Sequence, residues 1–343
     1  MSIIKQLLRF SALAVTLSLT SCVATETLES PGENEKENRI VLHLAPATDG
    51  ATRADNNYKL RYVAQLFEGE MYNNVSSTPL QRSEIIEGED NNQIIFNVTP
   101  NKYYILFVFA DYIPAESQPI AGLYNDYFYD THTTAKSVSM LTTPASSATK
   151  VSAEFFNNGN YDCFFSRAKL YKEESSYELT MTLKRITAQV SFRDNSTFAA
   201  EGTVNVNKLG LRSRYDFNLA QTIDPSSTEF NGQRLDINLN EPAQVTSTER
   251  EIFYFYTLAD EGASGQYVAT QFGVNQNGTE GERITVQNIP VRANFRTIVK
   301  GSYLKDLSQS QNPGDDKPSE PSADGIILNL GVDKNWEQQS LEK

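Results

Sequence analysis

A period of two runs through most of this chain and constrains its fold more than any single motif. Residues 39–45 set Ile40, Leu42 and Leu44 against Val41 and His43. Residues 59–67 put Leu60, Tyr62, Ala64 and Leu66 on one face, and residues 93–98 do the same with Ile94, Phe96 and Val98. Alternation of this kind marks a strand with one buried face. Residues 103–110, YYILFVFA, are apolar at every position, which fits a central strand covered on both faces. Comparable runs follow at 151–156, 161–165, 177–193, 203–211, 235–239, 251–258, 266–274, 283–289 and 295–304. Connections such as 260–265 and 275–281 carry Gly, Asn and Asp, which tolerate turn geometry. No long stretch shows a helical period. The pattern predicts an all-β protein of antiparallel β-sandwiches.

Within residues 177–193 the apolar face changes parity. Leu179, Met181 and Leu183 are odd-numbered, whereas Ile186, Ala188, Val190 and Phe192 are even-numbered. A β-bulge near Lys184 and Arg185 would produce this slip, and so would a strand that leaves one sheet for another body. The domain boundary is expected just after it, at 194–202. Two tandem domains then span 39–194 and 195–343. The second contains a polar leash at 305–324, rich in Ser, Asp and Pro, followed by an apolar strand at 325–332, GIILNLGV. A strand after a flexible leash can reach its own domain or that of a neighbour.

The N-terminus sets the compartment. Lys5 and Arg9, the apolar run to Leu19 and the small residues after it are the parts of a secretory signal, and the run is shorter than the roughly 20 residues of a membrane span. Residues 1–21 should therefore be removed. Leu19-Thr20-Ser21-Cys22 resembles the lipobox of bacterial lipoproteins, and the resemblance implies that Cys22 carries acyl chains such as palmitate. Several chains make attachment nearly permanent. Residues 22–38, acidic and polar, read as a tether lifting the first domain off the lipid. Val23 and Ala24, with no aspartate after the cysteine, favour an outer-membrane address.

Charge and composition exclude several functions. The 30 Lys and Arg fall to 28 once Lys5 and Arg9 are removed, against 43 Asp and Glu, so the mature chain carries about −15. Without clustered basic residues, nucleic acid is disfavoured as a partner. If Cys22 is acylated, Cys163 has no disulfide partner and reads as a buried structural thiol. His43 and His132, the only histidines, have no ligand spacing, and no phosphate loop, nucleophile elbow or calcium loop occurs. No enzyme activity, metal or cofactor is expected. Tyr124, Tyr127, Phe128 and Tyr129 form an aromatic stretch that reads either as core or as a sugar-binding surface.

Several segments, in this order, resemble the fimbrillin family of Bacteroidota lipoproteins, the subunits of type V pili and their relatives. They are YILFVFADY at 104–112, DCFF at 162–165, LKRITA at 183–188, and IPVRANFRT at 289–297 continuing to Gly301. The resemblance implies two transthyretin-like sandwiches in series. It also implies subunits joined by strand donation, with an extended segment of one completing the sheet of the next. In family members that polymerise, a cut after an arginine between the first two strands frees the acceptor groove. Arg53 stands at that place, although an arginine in a polar loop is ordinarily just solvated.

The donated segment would be 325–332, inserting Ile326, Leu328 and Leu330 on one face. The same segment also reads as an ordinary final strand, with Trp336 as an anchor in either arrangement. An anchor subunit that keeps its lipid and first strand fits equally well. The expected role is a surface-exposed, lipid-anchored subunit of a pilus-like assembly, structural or adhesive, whose partners are the outer membrane and other fimbrillin-like subunits. The alternative is a monomeric surface lipoprotein that binds glycan or host protein through loop aromatics. Mass analysis of the exported protein checks the processing: the mature chain is expected to begin at acylated Cys22, and a start at Ala54 would mark a cut at Arg53.

Overall fold

The computed structural model describes residues 38–45, 57–132, 136–141, 143–145, 152–173, 177–194, 202–212, 216–219, 243–245, 250–260, 266–277, 283–304 and 329–332, with 202–212, 243–245 and 329–332 described as backbone only. Cys22, Arg53, Ile326, Leu328, Trp336 and the run at 235–239 lie outside these residues. Among the described residues the chain is mostly strand, with no α-helix and only short 3-10 turns.

A three-stranded sheet sets β1 (Arg39–Ala45) between β4 (Gln93–Asn97) and β9 (Tyr177–Thr182). A five-stranded sheet carries, in order, β10 (Lys184–Arg185), β8 (Cys163–Lys172), β5 (Lys102–Pro114), β2 (Tyr58–Glu68) and β3 (Gln81–Ile86). The later chain gives a four-stranded sheet of β15 (Glu251–Leu258), β11 (Thr187–Asp194), β18 (Arg296–Gly301) and β19 (Asn329–Val332). Another joins β14 (Ala243–Val245), β12 (Gly202–Arg212), β16 (Tyr267–Gln276) and β17 (Arg283–Pro290). A small sheet of β13 (Asp216–Asn218), β7 (Ser137–Met140) and β6 (Tyr129–Asp130) ties residues from both halves together.

Most pairs are antiparallel, as the alternation predicts. Two are parallel, β1 with β9 and β11 with β18. Parallel neighbours need a long crossover, and in both cases more than 100 residues intervene. The two halves share this arrangement: β1 lies between an antiparallel and a parallel neighbour, and so does β11 between β15 and β18.

The parity slip has a physical origin. Residues 177–182 pair with β1, Lys184 and Arg185 pair with Phe165 and Phe164, and residues 187–194 pair with β15 and β18. The chain thus visits three sheets in succession, the second of the two explanations for the slip. The pairing changes over at 183–187, upstream of the boundary expected at 194–202.

Two other strand expectations change. Residues 151–156 are not a strand where described: Ala153–Phe155 is a 3-10 turn, a second spans Gly159–Tyr161, and the strand expected at 161–165 begins at Cys163 and runs on to Lys172. Asn157 takes a left-handed φ of 55° and the Asn158 side chain accepts from Asn160 N at 3.0 Å, so the asparagines turn a segment whose Phe155 and Tyr161 still reach the core. Strand β2, expected to be half-buried, is covered on both faces: Arg61, Val63, Gln65 and Phe67 are buried beside Tyr62, Ala64 and Leu66. It lies between β5 and β3, and its odd-numbered face packs Phe67 on Phe107 and pairs Arg61 with carboxylates.

Most buried apolar residues form one continuous cluster from Ile40 to Leu304, and Ile86, Ile113 and Tyr124 form a small second one. In the later half the large cluster centres on Phe192, stacked on Phe253 at 4.6 Å and edge-on to Phe272 at 5.1 Å. Phe192→Ala should cost about 3–5 kcal/mol, read from urea unfolding. Ile120→Ala, at a residue 70% exposed, should change stability by no more than about 0.5 kcal/mol.

Candidate functional site

Strand β1 occupies a slot. Its backbone pairs with β4 on one side, Val41 opposite Ile95, and with β9 on the other, Val41 opposite Glu178. Ile40, Leu42 and Leu44 are buried at spacing two, while Arg39, Val41, His43 and Ala45 are only partly covered. Removing this strand would expose two unpaired strand edges and an apolar trough three side chains long. His43 is a strand residue, its Nε2 3.9 Å from Glu178 Oε2. At the other end of the chain β19 pairs antiparallel with β18, Leu330 opposite Val299. The backbone therefore places Leu330 in a sheet of its own chain.

Three of the segments singled out in the sequence meet in one buried knot. The Arg185 guanidinium donates from Nε to both Asp162 oxygens at 2.9 Å, lies 2.9 Å from Oδ2 through Nη2, and donates from Nη1 to Asn294 Oδ1 at 2.7 Å. Thr187 Oγ1 donates to Asp162 Oδ1 at 2.6 Å, and Asn294 N to Thr187 O at 2.8 Å. Asn294 holds a left-handed φ of 64°, a conformation Asn tolerates better than most residues. The DCFF, LKRITA and IPVRANFRT segments thus share a polar lock between the early and late sheets.

The aromatic stretch at 124–129 is core rather than surface. Tyr124, Phe128 and Tyr129 are buried, and partly buried Tyr127 packs on the same cluster. Phe128 lies 4.7 Å from the Tyr161 ring and Tyr129 donates to Tyr161 O at 2.6 Å. This removes the loop aromatics as an exposed sugar platform. Cys163 is buried, and burial pushes its thiol well up, with only partial relief from a Tyr129 hydrogen bond. It is no activated nucleophile. Among the described residues no group of His, Cys, Asp and Glu is placed to hold a metal.

Sequence reasoning missed a second ionic cluster at the β10-proximal end of β2. Arg61 grips Asp111 with two hydrogen bonds, Nε to Oδ1 at 2.9 Å and Nη2 to Oδ2 at 2.8 Å. It also donates to Asp126 Oδ1 at 2.9 Å and to Tyr124 O at 3.2 Å, with Glu84 Oε2 3.5 Å away. Arg82 links Glu84 to Thr131 O, and His132 Nδ1 sits 2.7 Å from Asp126 Oδ2. The arrangement pins the loop from Tyr124 to His132 onto β2 and β3. Thr131 is buried and donates to Asp126 through both N and Oγ1. The only sequence signal was Arg61 on a strand of apolar neighbours.

Burial drives the Asp111 carboxyl up to about 6, although Arg61 opposes the rise. Burial also pushes Asp126 up, but the His132 hydrogen bond, the Arg61 charge and the Thr131 amide outweigh it and leave Asp126 at about 2. The two contributions have opposite signs. Asp126 adds stability above the ordinary carboxylate range and loses it as pH falls from about 4 to about 2. Asp111 in the folded chain keeps a proton that the unfolded chain has released, so its contribution declines as pH rises from about 4 to about 6. Between pH 4 and 2 the wild-type chain should lose about 2 kcal/mol more stability than Asp126→Asn, read from urea midpoints.

The solved structures that match this chain include proteins of Bacteroides and Porphyromonas. A candidate cell-adhesion protein of Bacteroides eggerthii is 13% identical with a TM-score of 0.43, over 88% of this chain and 97% of that one. A candidate polysaccharide-binding protein of Bacteroides thetaiotaomicron is 13% identical with a TM-score of 0.43, over 78% and 94%. The C-terminally truncated tip fimbrial protein Mfa3 of Porphyromonas gingivalis is 10% identical with a TM-score of 0.39, over 79% and 96%. No curated protein matches the sequence. The model of a family of unknown function, DUF6562, matches residues 27–340, and the chain belongs to that family.

Proposed function

We propose that this chain is a surface-exposed lipoprotein of the outer membrane, anchored through Cys22, that serves as a structural or adhesive subunit of a pilus-like assembly joined by strand donation. Two tandem sandwiches, 39–194 and 195–343, form its body. The observation that carries the reading is the β1 slot. Its occupant buries Ile40, Leu42 and Leu44 between two strands and is joined to the rest of the chain through residues 46–56, which contain Arg53. A cut at Arg53 leaves β1 held by pairing and burial alone, and exchange of β1 for a donated strand then releases the chain from its Cys22 anchor. The apolar residues Ile326, Leu328 and Leu330 repeat the spacing of Ile40, Leu42 and Leu44, so a neighbour's terminal segment suits the trough.

Donation requires β19 to leave β18, which it meets at four residue pairs. So short a strand exchanges more readily than a long one, and its vacated place exposes one edge of β18. The role needs no catalytic group or cofactor. Deleting residues 325–343 should abolish polymer formation while leaving a folded, soluble remainder, read by size-exclusion chromatography beside an unfolding curve. Unchanged assembly of the deleted chain would overturn strand donation.

A further inference from the structure

Four of the seven large hydrophobic residues that stand exposed among the described residues lie at one end of the five-stranded sheet: Met71 at 57%, Leu80 at 56%, Tyr103 at 39% and Tyr171 at 42% exposure. Strands β2 and β8 end here, and β3 and β5 begin here. Tyr103 and Tyr171 are direct cross-strand partners with ring centroids 4.8 Å apart, and Lys169 Nζ lies 5.2 Å from the Tyr103 ring centre. Gly69 N donates to Tyr103 O at 3.0 Å, which draws the turn bearing Met71 against the same pair. The pole is rigid, since both tyrosines sit on paired strands rather than on loops.

The chain also enters here. Val98 N donates to Asn38 O at 2.9 Å, and Asn101 N donates to Lys172 O at 2.7 Å, so the start of β1 lies beside the starts of β5 and the end of β8. Cys22 is 16 residues before Asn38, a span that reaches at most about 55 Å even fully extended. The second half of the chain attaches at the opposite end of the sheet, where Lys184 and Arg185 pair with β8. The residues that lead back to Cys22 therefore join the described chain at this pole.

We propose that this pole is a lipid-contact face, on which Tyr103, Tyr171 and Met71 settle into the headgroup region of the membrane that anchors Cys22. The inference rests on the lipoprotein reading above. Tyrosine, with an apolar ring and a polar hydroxyl, and lysine, with an apolar stem and a charged tip, are the side chains that suit a membrane–water boundary. The surface charge here is near −1 in a chain that is otherwise strongly acidic: Lys102 and Lys169 stand against Glu68, Glu70 and Glu173, with Lys102 Nζ 2.8 Å from Glu68 Oε2, while Lys172 is buried. Four half-exposed side chains bind lipid only weakly by themselves. Tethering by acyl chains raises the local concentration of lipid enough to make a weak contact persistent.

The test uses the full chain, acylated at Cys22 and reconstituted on phosphatidylcholine vesicles, beside a Cys22→Ser chain free in solution. Amide exchange at 69–74 and 101–103 should be roughly threefold slower on the vesicle, with the amides of β10 and β11 unchanged. Tyr103→Ser with Tyr171→Ser should abolish that difference without altering acylation or the unfolding midpoint, and Met71→Ser, at a more exposed position, provides an independent variant. Acylated protein whose exchange matches the free chain would overturn the lipid contact and leave the anchor intact. Absence of any acyl label on Cys22 would overturn both. The same slowing in the free Cys22→Ser chain at high concentration, accompanied by dimer, would overturn the lipid contact in favour of a second copy.

Discussion

Between Thr182 and Thr187 the chain leaves a sheet organised by β1, adds two residues to the edge of a second sheet, and enters a third. Where the later strands lie depends on how this crossing is held, and Arg185 is what holds it. A buried guanidinium is costly to desolvate, and here the cost is offset by Asp162 and Asn294, with Thr187 completing the carboxylate's partners. Such a cluster adds little net stability over a well-packed apolar one. What it supplies is directionality: planar donors aimed at oxygens of Asp162 and Asn294, on two separate segments, leave few ways to dock the early sheets on the late ones. Removing one partner strands a buried charge, at a cost of about 3–5 kcal/mol.

Arg61 plays a comparable part at the same end of the five-stranded sheet. It ties β2 to Asp111 of β5 and collects the returning loop through Asp126 and the Tyr124 carbonyl. The two arginine clusters thus sit where the chain must change direction between layers, while the aromatic packing around Phe107 and Phe192 fills the layers themselves. Apolar burial drives collapse without choosing an orientation; the charged contacts choose it.

The alternation of Ile40, Leu42 and Leu44 and the unbroken apolar run of β5 made the strands legible in the sequence, because strand periodicity is a local property. The parity change at Lys184 and Arg185 likewise showed that something happened to the sheet there. What the sequence did not disclose was long-range. Arg61 meets Asp111 across 50 residues and Arg185 meets Asn294 across 109. No local pattern encodes such partners, and a charged residue in an alternating strand reads as solvent-facing until the covering layer is known. The 124–129 aromatics were ambiguous for the same reason. The 3-10 turn at Ala153–Phe155 was misjudged because Phe155 and Phe156 supply strand-like hydrophobicity while the asparagines after them turn the backbone.

The position of β1 has a mechanical corollary. It starts at the pole where the chain enters and runs into the body with backbone partners on both sides. Tension applied through the preceding residues pulls along the strand axis and loads its lateral hydrogen bonds together, in shear, instead of peeling them one by one. Strands stretched in that geometry resist force better than those opened like a zipper, so β1 is set to bear load along its own axis.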